Sequence, residues 1–392
     1  MLLLVTVLVP AAPAAGTEEP GDPGGPGEPG GPGEPVTLIT SDAAPRLVGD
    51  AVFDQRLRVK KGAWSTDPEG ASLSFTYRWF RDGEVVRGER DATYRVGLED
   101  LRHRLHAEVT AHAEDGERTT AASEPTGRVR RAVLQMRREP AVKGTLRFGH
   151  AVTGSKGTWN RKPTKVSYRW LRGGGRDAGT ATKIAGATGK QHRVAPADVG
   201  ERLRVRVSVT RPGYERAVVF SDRSAEVKHR VDVRRTVTYS VATRGDVTAS
   251  VEEFARLAQQ TFDDPRGWRG SGVEFRRVKK GGGFTLVLST PGQVPSFSSQ
   301  CSATWSCRVG RFVIINQTRW QHASPAWNAA RRSLRDYRHM VVNHEVGHWL
   351  GFGPSSCPGP GKPAPVMMQQ SKSRNGCTFN PFPTLGELGR VR

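Results

Sequence analysis

The sequence predicts a multidomain protein: two small all-β sandwiches followed by an α+β domain. Three observations predict it. First, one residue pattern occurs twice: Gly62-Ala63-Trp64, Tyr77-Arg78-Trp79-Phe80-Arg81, Tyr94 and Asp100 return as Gly157-Thr158-Trp159, Tyr168-Arg169-Trp170-Leu171-Arg172, His192 and Asp198. Matching positions lie 91 (Trp79 to Trp170) to 98 (Asp100 to Asp198) apart, which is an internal duplication. Second, each copy ends in an alternating strand, Leu105 to Val109 and Leu203 to Val207, with turn residues between short strands, as a sandwich requires. Third, from Val231 the pattern changes to strand, helix, three strands, helix.

In chain order, residues 1–15 (MLLLVTVLVPAAPAA) are an apolar run ending in small residues. The run is shorter than the roughly 20 residues that span a bilayer. It reads as the hydrophobic region and cleavage site of a signal peptide without its basic start, and no other segment could cross a membrane. Residues 16–35 are a Gly/Pro-rich tract that cannot bury a core and is expected to be a disordered linker. The two copies occupy 36–130 and 131–230. Their pattern resembles the immunoglobulin-like repeats strung along secreted bacterial enzymes, which implies sandwiches with Trp79 and Trp170 in their cores. Sixty Lys and Arg against 38 Asp and Glu give +22. The basic residues are scattered, often at alternate strand positions such as Arg202, Arg204 and Arg206, and no nucleic-acid motif accompanies them. We therefore expect a solvated basic surface, with attraction to an anionic cell envelope as the alternative, and no nucleic-acid partner.

Residues 231–392 form the third domain. A strand at 236–242 leads to a helix that opens on a possible capping box, Ser250 and Glu253, and aligns Val251, Phe254, Leu257 and Ala258 on one face. Strands are expected at 273–278, 284–289 and 311–316, before a helix carrying Asn343-His344-Glu345-Val346-Gly347-His348. Tyr337, Met340 and Val341 continue an apolar stripe into the motif, and Gly351 ends the helix where a glycine can take positive φ. Spacing of four puts His344 and His348 on one helix face, one turn apart, where both can ligate a single Zn²⁺. Glu345 then stands beside the open metal position as general base toward a metal-activated water. This is the HExxH arrangement of zincins. The extended metzincin motif HExxHxxGxxH carries a third histidine where this chain has Pro354, and His322, His339 and Asp336 are the substitutes considered, none at that spacing.

The four cysteines all lie in the last quarter, and their closeness in pairs predicts disulfides Cys301–Cys307 and Cys357–Cys377, consistent with export. Ala364-Pro365-Val366-Met367-Met368-Gln369-Gln370 resembles a Met-turn. Together with Asp264-Pro265-Arg266-Gly267-Trp268 and Asn380-Pro381-Phe382-Pro383, these segments resemble the exported zincin-like family designated domain of unknown function 3152, from high-GC Gram-positive bacteria. The resemblance implies a metzincin-type α+β domain with His344 and His348 as metal ligands, Glu345 as base and Met367 as the Met-turn residue. It also implies a histidine at position 354, which this chain lacks.

The expected function is that of a secreted or cell-surface zinc metallopeptidase hydrolysing peptide bonds, with protein, peptide or cell-envelope polymers as substrates. The alternative is a catalytically degenerate zincin serving as an envelope-binding or adhesion protein.

Overall fold

The computed structural model describes residues 36–174 and 181–391; the expected leader and linker lie outside them. The chain divides between Val129 and Arg130 into two compact units.

The first unit is an antiparallel β-sandwich. One sheet runs Glu84–Val85, Leu73–Arg81, Leu105–Ala113, Arg118–Ala122. Facing strands are Arg46–Val48, Arg56–Lys60 and Thr93–Arg95, with a separate pair Leu38–Ala43 and Ala63–Asp67. Leu105–Ala113 alternates buried and half-buried residues over its whole length, because successive side chains of a strand point to opposite faces. Trp79 is fully buried, stacks on Tyr94 at 5.1 Å and donates its indole N–H to the Asp91 carbonyl. Asp100 is also fully buried, which is tolerable because its carboxylate accepts from Tyr94 Oη (2.6 Å), Gly97 N (2.7 Å) and Arg81 Nε (2.7 Å).

The second unit begins with the other copy, strand for strand: Thr182–Lys183, Lys165–Arg172, Leu203–Thr210 and Ala217–Phe220 against Val142–Gly144, Ala151–Gly154 and Gln191–Arg193, with Met136–Arg138 paired to Thr158–Trp159. Trp170 is fully buried. Asp198 repeats the buried acid, now holding His192 Nε2 (2.7 Å), Ala195 N (2.7 Å) and Arg172 Nη1 (3.0 Å). The duplication therefore extends to a polar cluster inside each sandwich, and both copies have the immunoglobulin-like form expected.

After the repeat, Arg147 pairs with Asp232 and the chain enters a five-stranded mixed sheet. Its order is Val273–Arg277, Arg235–Arg244, Phe284–Ser289, Phe312–Asn316, Cys307–Val309; the last is an antiparallel edge strand and the other pairings are parallel. Helices Val251–Asp263 and Leu334–Trp349 pack with this sheet around one core that includes Tyr239, Phe254, Phe262, Phe284 and Met340. Two departures from expectation have local causes. Ser250 caps its helix by accepting from Glu253 N at 3.2 Å, but the Glu253 carboxylate turns instead to Arg338, so only half of the capping box forms. The edge strand Cys307–Val309 and the short helices Gln317–His322 and Pro325–Ala329 are too brief to carry a hydrophobic period. Among the described residues, no helix is long and apolar enough to cross a membrane.

Candidate functional site

The helix Leu334–Trp349 starts at Ser333, whose hydroxyl accepts from Asp336 N at 3.0 Å. It ends at Leu350, followed by Gly351 at φ +95°, the left-handed conformation expected of that glycine. Around the motif it is buried on more than one face: Tyr337, Met340, Val341, Val342, Asn343, Val346 and Gly347 are all inside. One flank meets the sheet and the other meets the segment after residue 355.

His344 and His348 do meet. Their rings are perpendicular and their Nε2 atoms lie 3.2 Å apart. His344 Nδ1 lies 2.8 Å from the Val366 carbonyl and His348 Nδ1 2.9 Å from that of Phe352. A carbonyl oxygen only accepts, so each Nδ1 carries the proton and each Nε2 presents a lone pair. Burial pushes the His344 imidazole down to about 4 and lowers His348 as well, so both are neutral at pH 7. Two nitrogens bound tetrahedrally to Zn²⁺ at about 2.0–2.1 Å stand about 3.3–3.4 Å apart, so this pair fits the ion in spacing, tautomer and charge.

Glu345 is buried beside them. With no hydrogen-bond partner among the described residues, its carboxyl is pushed by burial up to about 8, against the opposing pull of Arg308. The three side chains line an open cleft of about 840 Å³. Its walls are the motif helix, the 300–308 loop and the turn 369–372. Cys301 and Cys307 are disulfide-bonded in the loop, and a second disulfide joins Cys357 to Cys377, as the spacing predicted.

The substitute ligands do not reach the site. His339 is buried elsewhere, with Nδ1 2.9 Å from Thr261 Oγ1; His322 is exposed; Asp336 faces Arg332. Pro354 is exposed. Among the described residues, no group of three or more His, Cys, Asp or Glu side chains could hold a metal ion.

Four residues not singled out as functional in the sequence build the site's floor and rim. Gly347 has no side chain because Met367 and Trp268, both fully buried, occupy that space; a Cβ there would collide with the Met367 sulphur and stand 2.9 Å from Trp268 Cζ2. Trp268 Nε1 donates to the Asn343 carbonyl at 2.9 Å, tying the loop 264–268 to the helix. Glu387 is buried with its carboxylate accepting from Val366 N (3.1 Å), Met367 N (2.9 Å), Thr384 N (2.7 Å) and Thr384 Oγ1 (2.9 Å). It therefore fixes the turn whose Val366 carbonyl orients His344. Its one visible signal is Thr384-Leu-Gly-Glu387, a capping box that does form. Arg308, on the edge strand, donates Nη2 to the His348 carbonyl at 2.8 Å.

Residues 210–382 match the family described as Protein of unknown function (DUF3152). No curated protein matches the chain. Among solved structures, the chain is similar to a Bacteroides ovatus mixed-linkage glucan utilization locus protein, SGBP-B, in complex with a mixed-linkage heptasaccharide (13% identity, 53% of this chain and 51% of that one, TM-score 0.15). It is also similar to a Ca²⁺-stabilized adhesin with which an Antarctic bacterium binds ice (11% identity, 52% and 51%, TM-score 0.21). A third is the amphioxus IgVJ-C2 molecule (13% identity, 41% and 91%, TM-score 0.19). The chain spans about half the length of the first two, at 51% each.

Proposed function

We propose that this chain is an exported zinc-dependent metallopeptidase of the zincin type. One observation carries the reading: two neutral imidazoles, each locked by a carbonyl so that its Nε2 faces the other at 3.2 Å, beside a buried glutamate at the bottom of an open cleft. His344 and His348 would hold the ion. Bound there, Zn²⁺ would supply Lewis acidity to a scissile carbonyl and lower the pKa of water toward neutrality. Glu345 accepts the proton of the attacking water and passes it to the leaving amine. Burial favours the protonated form that gives the proton to the leaving amine, and the charge of a bound Zn²⁺ would favour the ionised form that accepts the water's proton. The edge strand Cys307–Val309 pairs on one side only, so its free edge can take up an extended peptide along the cleft. Met367 serves as the Met-turn residue beneath the histidines, and the two disulfides suit an extracellular location.

A second reading has its own support in Pro354 and in the lack of a three-ligand group among the described residues: a degenerate zincin acting as an envelope-binding or adhesion protein. Metal content after dialysis separates the two. We expect the wild-type protein to hold zinc weakly, Pro354→His to tighten binding and raise peptidase activity, and Glu345→Ala to abolish activity while leaving metal content nearly unchanged. Zero zinc and zero activity in Pro354→His would leave only the binding-protein reading.

A further inference from the structure

The charge of the cleft is one-sided. Besides Glu345, buried beside the histidines, no carboxylate lines it. Its two cations are exposed: Arg308 on the edge strand and Lys372 on the 369–372 turn. Neither forms an ion pair among the described residues. Arg308 uses Nη2 on the His348 carbonyl and feels the Glu345 carboxyl only electrostatically, and the Lys372 ammonium has no partner there. Elsewhere in the same domain arginines do find acids, as Arg338 does with Glu253 and Arg276 with Glu274. The other polar lining, including Gln300, Ser302, Thr304, Gln369 and Ser371, is neutral. A guanidinium with free N–H groups is shaped for a carboxylate, and an ammonium on another wall of the cleft adds attraction without competing for the same geometry.

We propose that the cleft selects peptides carrying a carboxylate side chain beside the bond presented to His344 and His348, held by Arg308 with Lys372 adding charge from another wall. The inference rests on the reading of the cleft as a peptide site but not on turnover. It differs from a general attraction to a chain of net charge +22, because it assigns the preference to two positions.

The test is fluorescence anisotropy of a short labelled peptide with one central Glu and of its Gln counterpart, on the full chain in chelating buffer at pH 7. Salt is set at about 0.15 M, where charges more than about 8 Å away are largely screened. The Glu peptide should bind about 3- to 10-fold tighter, the range of one partly exposed charge contact. Arg308→Gln and Lys372→Gln should each reduce that ratio, while Lys279→Gln, at an exposed lysine outside the cleft lining, should not. Equal binding of the two peptides, no binding of either, or equal loss in all three variants would overturn the proposal. A preference in this buffer, with no zinc uptake and no hydrolysis when the parent and Pro354→His proteins are assayed separately with added zinc, counts against the peptidase reading alone. Hydrolysis without a preference counts against this inference alone.

Discussion

Gly347→Ala sets two effects of opposite sign against each other. In a helix interior, glycine is less stable than alanine by about 0.5–1 kcal/mol, so on propensity alone the substitution should stabilise. Packing opposes this. The new methyl would fall inside the Met367 sulphur and stand 2.9 Å from Trp268 Cζ2, and neither neighbour is exposed. Neither can retreat cheaply. The Met367 turn is pinned through Glu387 to its own amide at 2.9 Å and that of Val366 at 3.1 Å, and the Trp268 indole is bound to the Asn343 carbonyl. Overpacking a close-packed core costs about 1–3 kcal/mol, and the upper part of that range applies where the colliding groups are themselves hydrogen-bonded in place. We therefore expect a net loss of about 1–2 kcal/mol, read as a lower urea midpoint at unchanged slope. Because the displaced turn carries the Val366 carbonyl, His344 should also lose its fixed tautomer in long-range ¹H–¹⁵N spectra. A Gly347→Ala protein as stable as the parent, with the His344 signals unmoved, would refute the view that this glycine is reserved for the floor of the site.

Two further predictions concern buried titratable groups. Glu387→Gln keeps shape but replaces one acceptor oxygen with an NH₂ that faces backbone N–H groups; the expected loss is about 1–3 kcal/mol per unmade buried bond, with weaker metal binding, checked by denaturation and by cobalt titration. His229 is held down to about 4, first by burial and then by the charge of Arg269, and its Nδ1 is buried without a partner. Its folded pKa lies below the unfolded value near 6.5, so the unfolded chain binds more protons between those limits. The folded state should therefore lose up to about 3 kcal/mol as pH falls from about 6.5 toward 4. His344 contributes with the same sign in the same window, so the check is the difference in melting-temperature slope between the parent and His229→Gln.

The elements legible in the sequence were those whose signal is local. The duplication announced both sandwiches because Trp79 and Trp170 recur in equivalent strands, and the spacing of His344 and His348 fixed their shared face because a helix turn brings residues four apart together. The disulfides followed from short separations. What stayed hidden depends on contacts between distant segments. Glu387 reaches His344 only through the Val366 and Met367 amides, and no periodicity records such a path. The edge strand Cys307–Val309 exists because Phe312–Asn316 lies next to it, with three residues that show no strand pattern of their own. The helix stripe was visible through Tyr337, Met340 and Val341, but the second buried flank blurred its period.

Pro354 illustrates the limit from the other side, since the sequence shows that the third histidine of the extended motif is not there but not what the segment around it does. The backbone that would present a third ligand is still fastened at both ends: the Phe352 carbonyl accepts from His348 Nδ1, and Ser355 N donates to the Met367 carbonyl at 3.1 Å. Trp268 also packs on the Phe352 ring at 5.0 Å. The tautomer of His348 therefore depends on this segment whether or not residue 354 binds a metal. Residue 354 can change while His344 and His348 keep their orientation, because their carbonyl partners are main-chain atoms that a side-chain substitution leaves in place. That separation is why a two-histidine site can stay organised here, and why the single substitution Pro354→His is a fair test of function.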